Sequence, residues 1–270
     1  MLMVLVSALI VLSTGNTTLA KEAHTVDKKI FLTNLNHINI TIESIKDLKE
    51  LKRLICLRNP KAIYIEQWIL EEPGNKNLIK KLQKIAKKTS CKFYLVVGRS
   101  SWFGRRGVIN TIDNLNKYGK YIDGIVLRVE PNKVNVWKDD IGVQAQILNQ
   151  MLDAYSAIYH ETKKRDKAFI AEFPFWLSDY KGPLKSFSQN VCDYTDKIIF
   201  LIDDLEKLEK LDMWNNVTCM YNINLTKRAS GQTEESIHET FKKLKTKLTF
   251  YSNFNGFIID SNSTLEDSDT

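Results

Sequence analysis

Apolar residues recur along this chain with two different periods, and the two periods alternate. Short runs that are apolar at every position or at every second position predict β-strands, whereas apolar residues three and four positions apart predict amphipathic helices. The predicted strands are 29–34, 62–66, 92–98, 125–131, 169–173, 198–202, 217–222 and 256–260. The predicted helices are 41–54, 77–88, 107–118, 141–164, 204–211 and 234–248. A loop rich in Trp, Tyr and Ser, residues 175–192, separates the fifth and sixth strands.

The order of these elements predicts the fold class. Strict alternation of strands and helices is typical of an α/β protein with a parallel sheet. Eight strands, in a chain close to the roughly 250 residues of a (β/α)8 barrel, favour a closed single-domain TIM barrel over an open doubly wound sheet. Few residues follow the last strand, so we expect the final helix to be short or missing. The chain contains no Gly-x-Gly-x-x-Gly or phosphate-loop pattern that would indicate a nucleotide fold.

The first 20 residues carry no charged side chain, and residues 2–12 are mostly apolar. This run is shorter than the roughly 20 apolar residues that span a bilayer and is typical of the apolar region of a signal peptide. We expect a signal peptide at 1–20, a barrel at 21–264 and an acidic tail at 265–270, in a protein that is secreted to the periplasm or the cell exterior. A signal anchor and a buried N-terminal strand are the alternatives. No membrane insertion is expected after cleavage.

Charge and cysteine spacing narrow the classes of partner and cofactor. The net charge is +7, but the lysines are spread over predicted helices between apolar residues, which indicates solvated faces rather than a nucleic-acid site. Cys56, Cys91, Cys192 and Cys219 are widely spaced, so a four-cysteine metal site is not expected. A Cys56–Cys91 disulfide is our first expectation for an oxidising compartment, and Cys219 fits a buried thiol. The four histidines show no ligand spacing, and we expect no metal and no cofactor.

The fourth predicted strand has the most distinctive pattern. Val126, Arg128 and Glu130 alternate with the apolar residues of the other face, between Asp123-Gly124 and Pro131. One face is therefore expected to lie under helices, and the other carries a cation and a carboxylate towards its carboxyl end. Ligands bind at the carboxyl end of the strands in parallel α/β proteins.

Chemically active residues end several of the other predicted strands. In a barrel these ends converge, and they carry Glu66, Arg99, Arg128, Glu130, Glu172, Asp203, Tyr221, Asn222 and Asp260. The adjoining loops carry the aromatic residues Trp68, Trp102, Phe103, Trp137, Phe175, Trp176 and Tyr180. A site that cleaves carbohydrates needs carboxylates that act on the glycosidic bond and aromatic rings that stack on the sugars. Both residue types are present at these strand ends and loops. The alternative is structural: Arg128 and the glutamates form an ion-pair network that closes the barrel.

The stretch Asp123-Gly-Ile-Val-Leu-Arg-Val-Glu130 resembles the fourth-strand signature of family 18 glycoside hydrolases, D-G-x-D-x-D-x-E. It is also similar to uncharacterised bacterial barrels that read D-G-I-H-L-D-V-E-P and carry a later P-F-W segment, here residues 174–176. The resemblance implies that Glu130 is the general acid. The position whose Asp orients the substrate's acetamido group is Arg128 here, and the earlier Asp position is Val126. Barrels of this family that lose acids often persist as sugar-binding proteins.

Two hypotheses for function follow, and both place an oligosaccharide or polysaccharide on a monomeric barrel. The first is hydrolysis of O-glycosidic bonds, with Glu130 as general acid/base and Glu172 or Asp203 as its partner. The second is a carbohydrate-binding or interaction protein without catalysis, and a weaker third is another barrel chemistry such as a lyase. In either of the first two, Glu66, Arg99, Arg128, Trp137, Trp176, Tyr221 and Asp260 are the expected substrate-binding residues. Pairing of Arg128 with Glu130 would favour binding, and pairing elsewhere would favour catalysis.

Overall fold

Parallel strands joined by helices make up the described part of the chain, which confirms the predicted α/β class. The computed structural model describes residues 37–40, 48–58, 60–138, 140–180, 187–202, 218–223 and 254–260. The strands are β1 (His37–Ile40), β2 (Ala62–Glu66), β3 (Lys92–Val97), β4 (Gly124–Arg128), β5 (Ala168–Pro174), β6 (Lys197–Ile202), β7 (Thr218–Ile223) and β8 (Phe254–Asp260). The helices are α1 (Leu48–Arg58), α2 (Gln67–Glu71), α3 (Leu78–Lys88), α4 (Arg105–Tyr118), α5 (Ile141–Lys164) and α6 (Phe187–Val191).

The strands pair with one another in chain order. Each strand from β1 to β7 pairs in parallel with the next strand in sequence, and β1 also pairs with β8, so that the described strands form a closed ring. Side chains are described mainly for the half of this ring from β2 to β6. The predicted helices 204–211 and 234–248 lie outside the described residues, so the complete (β/α)8 alternation stays a prediction.

The two faces of the strands carry two different apolar layers. Outward residues such as Ile125 and Leu127 pack with the helices in one large buried cluster. The inward layer is a second cluster: Ala62, Tyr64, Tyr94, Val96, Val126, Ile170, Ile199 and Ile258. The alternation predicted for the fourth strand is therefore confirmed for the residues of β4. The inward cluster lies inside the ring, where inward side chains of TIM barrels form a packed core.

The predicted element bounds agree with the structure for most of the described chain. Helix α5 has the predicted bounds, and β2 to β6 begin and end within three residues of theirs. The predicted fourth strand extends too far: β4 ends at Arg128, and Glu130 lies at the start of the following turn. The predicted first strand, 29–34, lies outside the described residues, and β1 occupies residues that were assigned to no element.

The expected Cys56–Cys91 disulfide is wrong, because both cysteines are free in the structure. Cys56 is exposed on α1, whereas the Cys91 thiol is buried and donates to the Pro60 carbonyl oxygen at 2.7 Å. Burial raises the pKa of the Cys91 thiol, which disfavours the thiolate that disulfide exchange requires.

Among the helices within the described residues, none is both long enough and apolar enough to cross a bilayer. The longest, α5, has polar residues along one side.

Candidate functional site

Three charged side chains meet inside the ring at the carboxyl end of the strands. The Arg128 guanidinium donates from Nε to Glu172 Oε2 at 2.7 Å and from Nη2 to Glu172 Oε1 at 3.2 Å. Its Nη1 atom donates to Glu66 Oε1 at 2.7 Å. Glu172 is 1% exposed, Glu66 13% and Arg128 24%. We call Glu66, Arg128 and Glu172 the mouth network.

Strand register explains why these three residues meet. Arg128 of β4 is the direct partner of Glu172 of β5, so their side chains leave the same face of neighbouring strands. Glu66 lies on β2, two strands away, and β3 lies between them. Glu66 and Arg128 follow the inward residues Tyr64 and Val126 by two positions, so both side chains lie on the inward face of their strands.

Gly98 directly follows β3 and is required by the backbone itself. Its φ of +131° lies in a region that residues with a side chain rarely adopt. A Cβ atom at Gly98 would lie 2.0 Å from the Arg128 carbonyl oxygen. The chain at the end of β3 therefore approaches the β4 backbone at the residue that carries the guanidinium.

Electrostatics keep the Arg128 guanidinium charged. Burial alone lowers the pKa of Arg128, but the attraction of Glu172 and Glu66 outweighs burial, so the pKa is raised and the guanidinium stays protonated. A fork of two parallel hydrogen bonds to one carboxylate is the strong geometry for an Arg–carboxylate pair. Both Glu172 oxygens accept a hydrogen bond from Arg128, so the predicted partner carboxylate of Glu130 lies within the mouth network.

Glu130 has a different environment from the other two glutamates. It follows β4 and begins the turn Pro131–Lys133, where its Oε2 atom pairs with Lys133 Nζ at 2.6 Å. The Glu130 side chain is 25% exposed and that of Lys133 is 56% exposed. Arg128 thus pairs away from Glu130, the arrangement that sequence analysis associated with catalysis. Lys133 is a partner of Glu130 that sequence analysis did not single out, although the spacing i,i+3 in a turn is a usable signal.

Aromatic side chains from the loops after β4 and β5 form a second feature at the same end. The Trp137 and Trp176 ring centroids lie 5.5 Å apart with an edge-to-face orientation, and Tyr180 lies 6.4 Å from Trp137. Trp137 is buried, and its carbonyl oxygen accepts from Gln144 Nε2 of α5. Trp176 is 38% exposed. We call Trp137, Trp176 and Tyr180 the aromatic platform.

The remaining predicted site residues divide into three groups. Arg99 is exposed beside β3, and its backbone carbonyl accepts from Trp102 N. Tyr221 and Asp260 lie on β7 and β8, where the structure describes backbone register but not these side chains. Asp203 lies outside the described residues. Of the other loop aromatic residues predicted near the site, Trp68 is 49% exposed on α2, while Trp102 and Phe175 are buried between the strands and the helices.

The described residues contain no group of three His, Cys, Asp or Glu side chains placed to hold a metal ion.

No family model matches this chain, and no curated protein matches it significantly. Similar solved structures include the C-terminal domain of a chitinase-like protein from Desulfitobacterium hafniense DCB-2, with a TM-score of 0.52 and 10% identity. That match covers 71% of this chain and 66% of the other, just under two thirds.

Two further matches belong to other classes of protein. A sugar phosphate isomerase/epimerase from Parabacteroides distasonis ATCC 8503 matches with a TM-score of 0.50 and 11% identity, over 84% of this chain and 86% of that one. A family 2 AP endonuclease from Brucella melitensis matches with a TM-score of 0.51 and 11% identity, over 83% and 91%. These similarities show a TIM-barrel-like fold that is shared by proteins of several different activities.

Proposed function

We propose that this chain is a (β/α)8 barrel that binds an oligosaccharide or polysaccharide at the carboxyl end of its strands. The observation that carries the proposal is the aromatic platform, in which buried Trp137 supports a Trp176 indole that is 38% exposed. Sugar rings have apolar C–H faces that stack on indole and phenol rings. An indole fixed in place by a second one binds at a smaller entropic cost than a freely rotating side chain.

Two of the carboxylates at this end are bound by Arg128 in the mouth network. Glycosidases generally act through two carboxylates that touch the scissile bond. Glu172 is buried with both oxygens bound by Arg128, and Glu66 also accepts from Arg128. Of the two predicted catalytic carboxylates within the described residues, Glu172 belongs to the network and Glu130 does not. A barrel related in fold to a chitinase-like domain, with Arg128 at an acid position, fits a sugar-binding protein.

A binding comparison tests this proposal. Wild type is first screened on a glycan array, and the dissociation constant for the best glycan is then measured for Trp176→Ala and for Ile109→Ala. Ile109 is a matched control, because it is 49% exposed on α4. We expect Trp176→Ala to weaken binding by about tenfold or more, corresponding to a loss of about 1 to 3 kcal/mol for one aromatic contact. Equal affinities for the two variants, or no glycan bound by wild type, would refute the proposal.

Hydrolysis is a second candidate, and one observation favours it. Arg128 pairs away from Glu130, and the Glu130 carboxylate remains partly exposed beside the end of β4. In this mechanism Glu130 protonates the glycosidic oxygen and Asp203 is its partner carboxylate. The candidate requires turnover by wild type that Glu130→Gln abolishes.

The proposed setting is extracellular. An apolar, uncharged segment at 1–20 supports export through a signal peptide, and polysaccharides are ligands that an exported monomeric barrel would meet. Detection of mature protein that begins at Lys21 in the culture medium, by N-terminal sequencing, tests this assignment. Retention of the intact chain inside the cell would contradict it.

A further inference from the structure

Every exposed residue of helix α3 is a lysine. The opposite side of the helix is apolar, and Leu78, Ile79, Leu82 and Ala86 are buried in the large cluster between the strands and the helices. These contacts fix which side of the helix faces outward. The exposed residues of α3 are Lys80, Lys81, Lys84, Lys87 and Lys88. We call these five residues the lysine face.

Helix geometry holds the five lysines close together. Successive residues of an α-helix are rotated by about 100°, so the lysine face lies within an arc of about 120°, opposite the apolar side. Members three or four positions apart, such as Lys80 and Lys84, have Cβ atoms about 5–6 Å apart. The helix is 11 residues long, which corresponds to about 16 Å. Five positive charges are therefore held on one short, outward-facing strip.

No carboxylate within the helix offsets this charge. Residues 78–88 contain no Asp or Glu, and neither residue type lies three or four positions from any member of the lysine face. The end of α5 is different, because Lys164 pairs with Glu161 at 2.6 Å and Lys163 pairs with Asp196. Like charges four positions apart destabilise a helix, so α3 carries a repulsion that an anionic partner would relieve.

Helix stability does not account for the positions of these lysines. Cations are favourable in the last turn of a helix, where Lys87 and Lys88 lie, because the helix dipole is negative there. Lys80 and Lys81 lie in the first turn, where the same dipole disfavours a cation. A uniform lysine face that includes unfavourable positions points to recognition of a negatively charged partner.

The composition of the lysine face indicates which kind of anionic partner it fits. The exposed side of α3 has no arginine and no aromatic residue. Guanidinium groups bind phosphates in a fixed geometry, and aromatic rings stack on nucleic-acid bases. A lysine ammonium is a point charge on a flexible stem, which suits headgroups that move within a fluid layer. Clusters of lysines on amphipathic helices are typical of proteins that bind anionic lipids.

We propose that the lysine face of α3 binds the surface of a bilayer that contains anionic phospholipids. The apolar side of α3 stays in the protein core, so that only the ammonium groups meet the headgroups. Gln83 Nε2 donates to the Lys120 carbonyl oxygen at 3.1 Å, which places another exposed lysine residue beside the helix. The lysine face lies on the outside of the ring and not at its carboxyl end, so this binding does not depend on the proposed carbohydrate site.

Co-sedimentation of the full chain with lipid vesicles tests the proposal. Vesicles of neutral phosphatidylcholine are compared with vesicles in which about a third of the lipid is phosphatidylserine, at low and at physiological ionic strength. We expect wild type to bind the anionic vesicles at least about tenfold more tightly, and to lose affinity as salt is added. The triple variant Lys80→Gln, Lys84→Gln, Lys87→Gln should lose at least about tenfold in affinity, because each lysine near such a surface contributes about fivefold.

A control variant has the same change in net charge at exposed lysines outside α3. Lys61→Gln, Lys92→Gln, Lys164→Gln should keep an affinity within about twofold of wild type. Glutamine has a helix propensity similar to that of lysine, and its introduction removes like-charge repulsion. The α3 triple variant should therefore unfold at or above the wild-type midpoint. Both variants retain the apolar segment 1–20, so that segment cannot produce a difference between them.

Three outcomes would overturn the proposal. The first is equal binding of wild type to neutral and anionic vesicles. The second is an affinity for anionic vesicles that the α3 triple variant retains, or that both triple variants lose equally. The third is wild-type binding to duplex DNA or heparin that is tighter than binding to anionic vesicles at equal concentration of negative charge, and that the α3 triple variant loses, because the lysine face would then bind a different polyanion.

Discussion

At the scale of single residues, Arg128 determines what the fourth strand does. The family 18 signature that this strand resembles has an aspartate at this position. The Arg128 guanidinium here binds Glu172 of β5 and Glu66 of β2 instead. Removal of one member of a buried ion-pair cluster leaves an uncompensated charge, while replacement of the whole cluster by apolar side chains of similar volume is far less costly. This asymmetry distinguishes a structural network from residues that merely lie near each other.

Arg128→Met is therefore expected to lower the free energy of unfolding by about 3 to 5 kcal/mol. The triple variant Arg128→Met, Glu66→Met, Glu172→Met should recover most of that loss, because no charged or polar side chain of the network is left unpaired. Urea unfolding of the two variants and wild type measures both values. A loss below about 1 kcal/mol for the single variant would mean that the network is solvated and contributes little.

The second residue-scale prediction concerns Gly98. Gly98→Ala combines a disfavoured φ with a Cβ that meets the Arg128 carbonyl oxygen at 2.0 Å, whereas Gly74→Ala has φ +94° but no atom within 4 Å of the new Cβ. We expect Gly74→Ala to cost about 1 kcal/mol from conformation alone and Gly98→Ala to cost about 3 kcal/mol or more. The same urea experiment compares them. Equal costs would show that β3 moves away from β4 easily.

At the scale of elements, a repeated hydrogen-bond pattern joins neighbouring strands at their starts. The residue before β4, Asp123, accepts from the Phe93 backbone N–H of β3, and Asp196 before β6 accepts from Phe169 of β5 in the same way. Asp123 therefore connects β3 and β4 by a hydrogen bond at the end of the ring opposite the mouth network. This contact explains the aspartate without a catalytic role.

Asp123→Ala should reduce the free energy of unfolding by about 1 to 2 kcal/mol, because the Phe93 N–H loses its acceptor. Glycan binding by the folded variant should be unchanged. Asp113→Ala, an exposed aspartate on α4, should stay within about 0.5 kcal/mol of wild type. Chemical denaturation and a binding isotherm of each protein provide the check. A binding defect in Asp123→Ala at full stability would assign this residue to the site.

The bounds of helices and strands were predicted correctly where the apolar residues follow a single period, either helical or alternating. Helix α5 has its predicted bounds because apolar residues repeat at helical spacing through Ile147, Met151 and Ile158, all of which are buried. Strand β1 is four residues long and reads His-Ile-Asn-Ile. Two apolar residues in four positions are too few to predict a strand from hydrophobic periodicity. Tertiary pairing with β2 and β8 stabilises it, and such pairing is invisible in the local pattern.

The candidate site was less predictable than the elements. Sequence alone placed Glu66, Arg128 and Glu172 at the same end of the barrel and included an ion-pair network among the alternatives. It could not show that Arg128 reaches Glu66, because that contact depends on the register of β2 and β4 with β3. The contact between Trp137 and Trp176 likewise depends on the paths of two loops.

At the scale of the whole molecule, the two ends of the ring have different chemistry. The carboxyl end combines the buried mouth network with the exposed part of the aromatic platform. The amino end carries Lys92 and Lys197 as the first residues of β3 and β6, and the inward apolar cluster lies between the two ends. Because Lys197 lies at the end of β6 away from the aromatic platform, Lys197→Met should leave glycan affinity unchanged.

The central claim is that recognition of a carbohydrate at the carboxyl end does not lead to its cleavage. The most direct measurement incubates wild type, at a concentration above its dissociation constant, with the glycan it binds, and follows new reducing ends by mass spectrometry. Glu130→Gln is run in parallel. We expect saturable binding by both proteins and no product from either. Product that forms with wild type and disappears in Glu130→Gln would contradict the account and establish a glycosidase that uses Glu130.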